Sequence, residues 1–325
     1  MPTWGTMTER SILVAGEMVV DFIPHATGSL ASVETFDRRA GGAPANVAVG
    51  LARLDARPWF CTTLSTDPFG VFLADRLDHE GVPDRFVTRV DNSTALAFVS
   101  HGADADREFS FHRERTADTV LQTDVVDTAA LSAADWLVVG GVTLSAEPSR
   151  SATFELVDRA KAAGCRIVFD PNTRPELWAE SDDITLTLER MLRRTDVLKA
   201  TREDFAPTAI STDDSDDGFA ERLLEKGPEI VLLTEGTAGA RAVATDDSVW
   251  GRGEWHHAGY EVDAVDTTGA GDAFLAGAIA SLAEGKEPTE TLGFANAVAA
   301  LATTDGGAMT ALPDREAVDR FVEDQ

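Results

Sequence analysis

Asp266-Thr267-Thr268-Gly269-Ala270-Gly271-Asp272-Ala273-Phe274 is the stretch from which the rest of the chain can be read. It leads into a helix whose apolar positions, Phe274, Leu275, Ala278, Ile279 and Leu282, predict burial. Its glycines let the chain turn tightly and let a ligand approach the backbone. The N–H groups of Gly269, Ala270, Gly271 and Asp272 then face outward from a helix N-terminus, where hydrogen bonding and the helix dipole together hold phosphate. A carboxylate beside an anion nest fits phosphoryl transfer. The acceptor hydroxyl must be held and partly relieved of its proton while the transferred group's charge is cradled. Asp272 can do the first and the nest the second. The plainer alternative is an aspartate that caps the helix and glycines that only turn the chain.

A second stretch, Ala40-Gly41-Gly42-Ala43-Pro44-Ala45-Asn46-Val47-Ala48, repeats the theme. Paired glycines before a helix permit close backbone approach, and Asn46 falls in its first turns. Its amide can donate to and accept from a sugar hydroxyl; alone, the stretch also reads as a tight turn with a solvated Asn.

Outward from these motifs, short β-branched runs alternate with helical patterns. The runs are 11–16 (SILVAG), 58–64 (PWFCTTL), 136–141 (WLVVGG), 165–170 (CRIVFD), 196–200 (DVLKA) and 229–236 (EIVLLTEG). Several are nearly continuous in apolar character, as in strands buried on both faces. Helices are predicted over 45–54, 69–79, 149–163, 184–193, 219–226, 270–283 and 290–303. The alternation predicts an α/β fold with a doubly wound, mainly parallel sheet flanked by helices. Residues 17–40 and 93–113 break the rhythm and read as extended strands joined by polar turns, the second a hairpin with GADAD at its tip. They predict a small β-sheet lid on a single domain spanning 1–325. Residues 211–218 (STDDSDDG) read as an acidic loop.

Apolar residues make up 43 %, enough for a sizeable core. No apolar run approaches the roughly 18 residues that cross a bilayer. The start, MPTWGTMTER, lacks the basic-then-apolar pattern of a secretory signal, and Met7 is a second candidate start. Cys61 and Cys165 each lie in an apolar run and read as buried thiols in a reducing cytoplasm. No CxxC or HExxH spacing points to zinc. The formal net charge is −28, spread along the chain, with lysine only at 161, 199, 226 and 286. Such a surface repels nucleic acid and anionic lipid and suits a salt-rich cytoplasm. A Rossmann dehydrogenase is disfavoured because no GxGxxG follows the first strand, and a Walker-type nucleotidase because GxxxxGK[ST] is absent.

GGAPANVA and DTTGAGDAF together resemble the two signatures of the ribokinase-like, or PfkB-type, carbohydrate kinases, in the family's order and separation. Further matches are GEMVVDF (16–22), FDPNTRPELW (169–178), TEGTAG (234–239) and NAVAAL (296–301). The resemblance implies a parallel sheet flanked by helices with a small β lid. It places the catalytic aspartate on Asp272 and the anion hole on Gly269, Ala270 and Gly271. Asp21, Gly42 and Asn46 fall on sugar-binding positions. Arg113 and Arg174 match arginines turned toward the substrate, the alternative for each being a surface salt bridge. Thr234, Gly236, Gly239 and Asn296 match the nucleotide pocket, and Asp266 and Thr268 a monovalent-cation site, potassium by resemblance. Where many members carry Asn-x-x-Glu to organise magnesium water and phosphate, this chain has Lys199-Ala200-Thr201-Arg202-Glu203-Asp204. Thr201 and Asp204 replace the pair, and Lys199 stands at its head.

The resemblance thus implies ATP, Mg2+ and K+ as cofactors and a small sugar as substrate, with no nucleic-acid or membrane partner. A homodimer through the lid is a further implication. The motifs look most like fructokinases, which implies fructose 6-phosphate as product, and they sit close to 2-keto-3-deoxygluconate kinases. Other sugar or nucleoside kinases of the same fold remain open, as does a non-catalytic sugar- or nucleotide-binding regulator.

Overall fold

The computed structural model describes residues 11–26, 28–101, 107–179, 181–212 and 215–325. The strands in chain order are β1 (Ser11–Ala15), β2 (Val19–Pro24), β3 (Phe36–Gly41), β4 (Trp59–Ser65), β5 (Val87–Val90), β6 (Leu96–His101) and β7 (Arg107–His112). Then follow β8 (Ala134–Gly140), β9 (Arg166–Asp170), β10 (Val197–Ala200), β11 (Ile230–Thr234), β12 (Ala240–Ala244) and β13 (Gly253–His257). The α-helices are α1 (Ala43–Arg53), α2 (Pro68–His79), α3 (Thr128–Ala133), α4 (Ser149–Ala163) and α5 (Ser181–Leu192). The chain continues with α6 (Arg202–Phe205), α7 (Asp216–Leu224), α8 (Ala270–Glu284), α9 (Pro288–Ala302) and α10 (Arg315–Glu323).

The large sheet has the order β13-β12-β11-β10-β9-β8-β1-β4-β5. From β11 to β5 every neighbouring pair is parallel, as the apolar runs predict. β12 and β13 add an antiparallel edge. That edge escapes sequence reading because β13 (GEWHH) alternates half-buried with exposed positions and looks like polar loop. Two apolar clusters cover the two sheet faces. One contains residues of α1, α2, α8, α9 and α10. The other draws on α3, α4, α5, α6 and α7. The ribokinase-like, doubly wound α/β architecture is therefore present.

Residues 17–40 and 93–113 supply a separate four-stranded sheet of order β3-β2-β6-β7. Phe22 of β2 stacks on Phe98 of β6 at 4.8 Å between ring centroids, and Phe36 meets Phe98 edge-on at 5.7 Å. Phe22 also meets Phe69 of α2 edge-on at 5.8 Å, which joins the small sheet to the large unit. The hairpin tip expected at 102–106, and the leader reading of 1–10, fall outside the described residues.

Local chemistry sets most helix limits. Asp67 accepts a hydrogen bond from the Gly70 amide and Pro68 takes the first turn of α2. α4 and α8 end at Gly164 and Gly285, both left-handed. The acidic loop expected over 211–218 is shorter than read. Ser215 accepts from the Gly218 amide and α7 begins at Asp216. Serine followed by aspartates is a helix-start signal as well as a loop composition. Cys61 and Cys165 are buried and unbridged, and burial pushes their thiols up to about 12 and about 11. No described helix is long and apolar enough to cross a membrane.

Candidate active site

Helices α1 and α8 begin beside one cleft, at the edge where the parallel strands end. The cleft is lined by Asp21, Gly42, Asn46, Arg113, Arg174, Thr268, Gly269, Gly271 and Asp272. Lys199, Thr201 and Asp204 also line it. All the residues expected to meet sugar or transferred phosphate, except Ala270, therefore share one cavity. A second cleft is lined by Thr234, Gly236, Gly239, Asn296 and Ala270. Thr201, Glu203 and Gly271 border both clefts, so the two are continuous at the start of α8.

Asp272 sits in the first turn of α8 and is 7 % exposed. Its Oδ2 accepts a hydrogen bond from Asn46 Nδ2 at 2.8 Å. No hydrogen bond to its other oxygen is found among the described residues. Burial raises the carboxyl above its ordinary value; the Asn46 bond, Lys199 and Arg174 pull it back. A carboxyl raised in this way is a stronger base than an exposed aspartate.

The turn into α8 leaves one amide fewer open than the sequence reading expects. Gly269 is left-handed, with φ 79°, and a Cβ there would lie 2.6 Å from Ala308 Cβ. The amides of Gly269, Gly271 and Asp272 meet no acceptor among the described residues. Ala270 differs: its N–H donates to Thr267 O at 3.2 Å. The reason is local, since a tight turn into the helix closes on itself before the helix begins. Lys199, 5 % exposed, lies under the nest. Its Nζ is 3.2 Å from Asp170 Oδ2 and 3.1 Å from where a Cβ on Gly271 would sit. Burial alone would lower the ammonium, but Asp170, Asp204 and Asp272 outweigh it and hold Lys199 above its ordinary value.

The wall of this cleft beside α1 is acidic. Asp21 lies against Gly41, where a Cβ would come within 1.9 Å of Asp21 Oδ2. Burial, with Asp272 nearby, pushes Asp21 up to about 7. Asn46 keeps its Oδ1 buried with no partner among the described residues. Arg174 donates to Thr173 O at 3.1 Å and has no carboxylate partner among the described residues. Arg113 lines the cleft too, but its guanidinium is held by Asp118, by Ser145 Oγ at 2.7 Å and by Val142 O at 3.2 Å. The salt-bridge alternative describes this arginine, although the bridge is buried.

Thr201 and Asp204 form a capping box on α6. Asp204 Oδ2 accepts from Thr201 N at 2.8 Å and Thr201 Oγ1 at 2.9 Å, and Oδ1 from Thr173 N at 3.1 Å. Three of its roughly four lone-pair positions are taken. The two residues hold α6 and the 172–174 loop, and little of either is left for metal-bound water. Glu203, which sequence reading passed over, is exposed between the two clefts.

On the nucleotide side, Gly239 has φ 89°, and a Cβ would meet His257 O at 2.0 Å. Only glycine fits there. Asn296 donates to Leu292 O at 2.8 Å and is buried in the wall of the cleft. Asp266 anchors the loop before α8: Oδ1 accepts from Thr268 N at 2.8 Å and Oδ2 from Gly307 N at 3.0 Å.

The pfkB family carbohydrate kinases match the chain over residues 9–315. The chain belongs to this family. A fructokinase from Klebsiella pneumoniae is 39 % identical over 318 residues, covering 95 % of this chain and 98 % of that protein. The structure of a fructokinase from Xylella fastidiosa with bound ATP superposes with a TM-score of 0.86 at 30 % identity, covering 97 % and 98 % of the two chains. A double-mutant fructokinase from Vibrio cholerae O395, with fructose, ADP and potassium bound, gives 0.80 at 30 % identity, covering 96 % and 98 %. The protein is a carbohydrate kinase, a phosphotransferase with an alcohol acceptor. Two acids inside these motifs carry no expectation from the sequence: Glu17 of GEMVVDF lines the first cleft, and Asp170 of FDPNTRPELW is the buried partner of Lys199.

Proposed function

We propose that this pfkB-family kinase transfers the γ-phosphoryl group of ATP to fructose, giving fructose 6-phosphate. The observation that carries the reading is Asp272 Oδ2 held by Asn46 at 2.8 Å, one residue from open amides at the start of α8. The acceptor occupies the acidic cleft, with Asp21, Gly42, Asn46 and Arg174 against its hydroxyls. Asp272 takes the proton of the attacking hydroxyl, and its buried position removes competing water. The amides of Gly269 and Gly271, with Lys199 beneath them, steady the migrating phosphoryl group. Ala270 lends its backbone to the turn that presents them. Thr234, Gly236, Gly239 and Asn296 shape the nucleotide cleft.

Bound with the nucleotide, magnesium would supply neutralisation of phosphate charge. Glu203 and the remaining lone pair of Asp204 are the protein oxygens that would hold its water shell, with Thr201 and Lys199 positioning that segment. Asp266 and Thr268 would hold potassium and so stiffen the loop that carries Gly269. The small sheet serves as a lid on a single domain, and two copies pair through it. The enzyme works in a salt-rich cytoplasm, which the −28 charge favours. Structure retained without KCl would contradict that last point.

Fructose is favoured over a keto acid because Arg113 is committed to Asp118, leaving Arg174 as the cation for a carboxylate. A coupled ADP-release assay at high KCl over fructose, 2-keto-3-deoxygluconate, ribose and adenosine tests the reading. Fructose should give the highest kcat/KM. Preference for any other acceptor removes the fructokinase assignment, and no turnover with any, despite ATP binding, leaves a regulator.

A further inference from the structure

Glu17 lies between β1 and β2 and is absent from the roles assigned above. Only 3 % of its surface is exposed, yet it lines the acceptor cleft together with Asp21, Gly42, Asn46 and Asp272. Its Oε2 has no hydrogen-bond partner among the described residues. Buried polar atoms are nearly always paired, so an orphan at the wall of a binding cleft calls for a ligand atom. Arg113 does not fill the place, since its guanidinium is turned to Asp118, Ser145 and Val142. Burial pushes the Glu17 carboxyl up to about 7; its own backbone amide and then Arg113 draw it down, while Asp118 and Asp272 raise it further. Near neutrality both forms are present, and the protonated form can donate as well as accept. Asn46 Oδ1, orphaned in the same cleft, matches it.

We propose that Glu17 is a specificity-determining residue: its carboxyl group takes a secondary hydroxyl of the acceptor and so selects a neutral polyhydroxylated sugar over a sugar acid. The inference rests on this cleft being the acceptor site. Its logic is that of a polar pocket. A hydroxyl satisfies the buried carboxyl, and an acceptor lacking that hydroxyl leaves it unpaired. A carboxylate in the same place would meet the acids of Glu17, Asp21 and Asp272 with Arg174 as its one uncommitted cation.

The test is Glu17→Gln in the full chain, with kcat and KM measured for fructose, its 3-deoxy and 4-deoxy analogues, 2-keto-3-deoxygluconate and ATP. KM for fructose should rise at least tenfold, with ATP KM within twofold. One deoxy analogue should show the same KM on parent and variant, because its missing hydroxyl is the one Glu17 holds. Fructose KM within twofold of the parent, or one common factor for every acceptor, overturns the proposal and leaves Glu17 as a counter-charge for Arg113. Where the parent prefers another sugar, that sugar and its deoxy forms replace fructose, so the choice of ketohexose fails separately. A parent that phosphorylates no sugar sinks both readings. If the variant does not fold, glutamate Cδ labelling of the parent decides. The resonance titrating near pH 7 should move on saturation with sugar, and an unmoved resonance refutes the contact.

Discussion

Helices α1 and α8 both follow a glycine and pack side by side at the cleft, yet the surroundings of their first turns differ. At α1, Gly42 has φ 106°, Pro44 removes one N–H, and the acids Glu17 and Asp21 line the cleft with it. At α8, Gly269 has φ 79°, the Gly271 and Asp272 amides stay open, and Lys199 lies beneath. The first start suits hydroxyls and the second suits phosphate. The difference teaches that a glycine before a helix specifies only close approach. What approaches is set by which amides are already used and by the charges that distant strands bring. The two starts are tied by one bond, Asn46 to Asp272, across 226 residues of chain.

Breaking the α8 start should have the largest effect. Asp272→Asn is expected to cut kcat by about 10³-fold or more while leaving ATP affinity within threefold, read by single-turnover kinetics and calorimetry. Gly269→Ala comes next. Its Cβ would press on Ala308 and hold a residue at φ 79°, so kcat should fall on the order of 10²-fold, the scale of a lost oxyanion donor. Restored rates would show that the nest is not needed.

Changing the α1 start should be milder and of a different kind. Arg174→Ala should raise the sugar's dissociation constant about tenfold and ATP's by less; the reverse pattern moves Arg174 to the nucleotide side. The smallest expected effect is on apo stability. Burial holds Glu17 and Asp21 near 7, above their unfolded values. Their contribution is therefore present at low pH and lost as pH rises through about 7. Melting temperature should fall by a few degrees, roughly, between pH 6 and 8, and Glu17→Gln should flatten that fall.

Much of this molecule is legible in its sequence because the parallel strands are buried on both faces. Ile12 to Ala15, Ile167 to Phe169 and Ile230 to Leu233 are continuous apolar runs at most 2 % exposed. The strands of the small sheet are legible for the opposite reason, being short and joined by polar turns. What escapes depends on partners remote in sequence. Nothing near Arg113 or Asp204 announces that Ser145 and Thr173, each some thirty residues away, will occupy their polar atoms. Glu17 becomes notable only once its neighbours fail to pair it. The Ala270 amide is lost to the nest through a turn too local for a motif to display.

If the Asn46–Asp272 bond joins the two helix starts into one catalytic unit, substitutions at its two ends cannot act independently. A double-mutant cycle on kcat/KM for the acceptor, using Asn46→Ala, Asp272→Asn and both together, measures this most directly. Asn46→Ala alone should cost about 10- to 100-fold and move the acid limb of the rate profile to higher pH, because a bond that lowers Asp272 is gone. The double variant should then be no worse than Asp272→Asn within about threefold. Losses that simply multiply would show two independent sites and contradict the account.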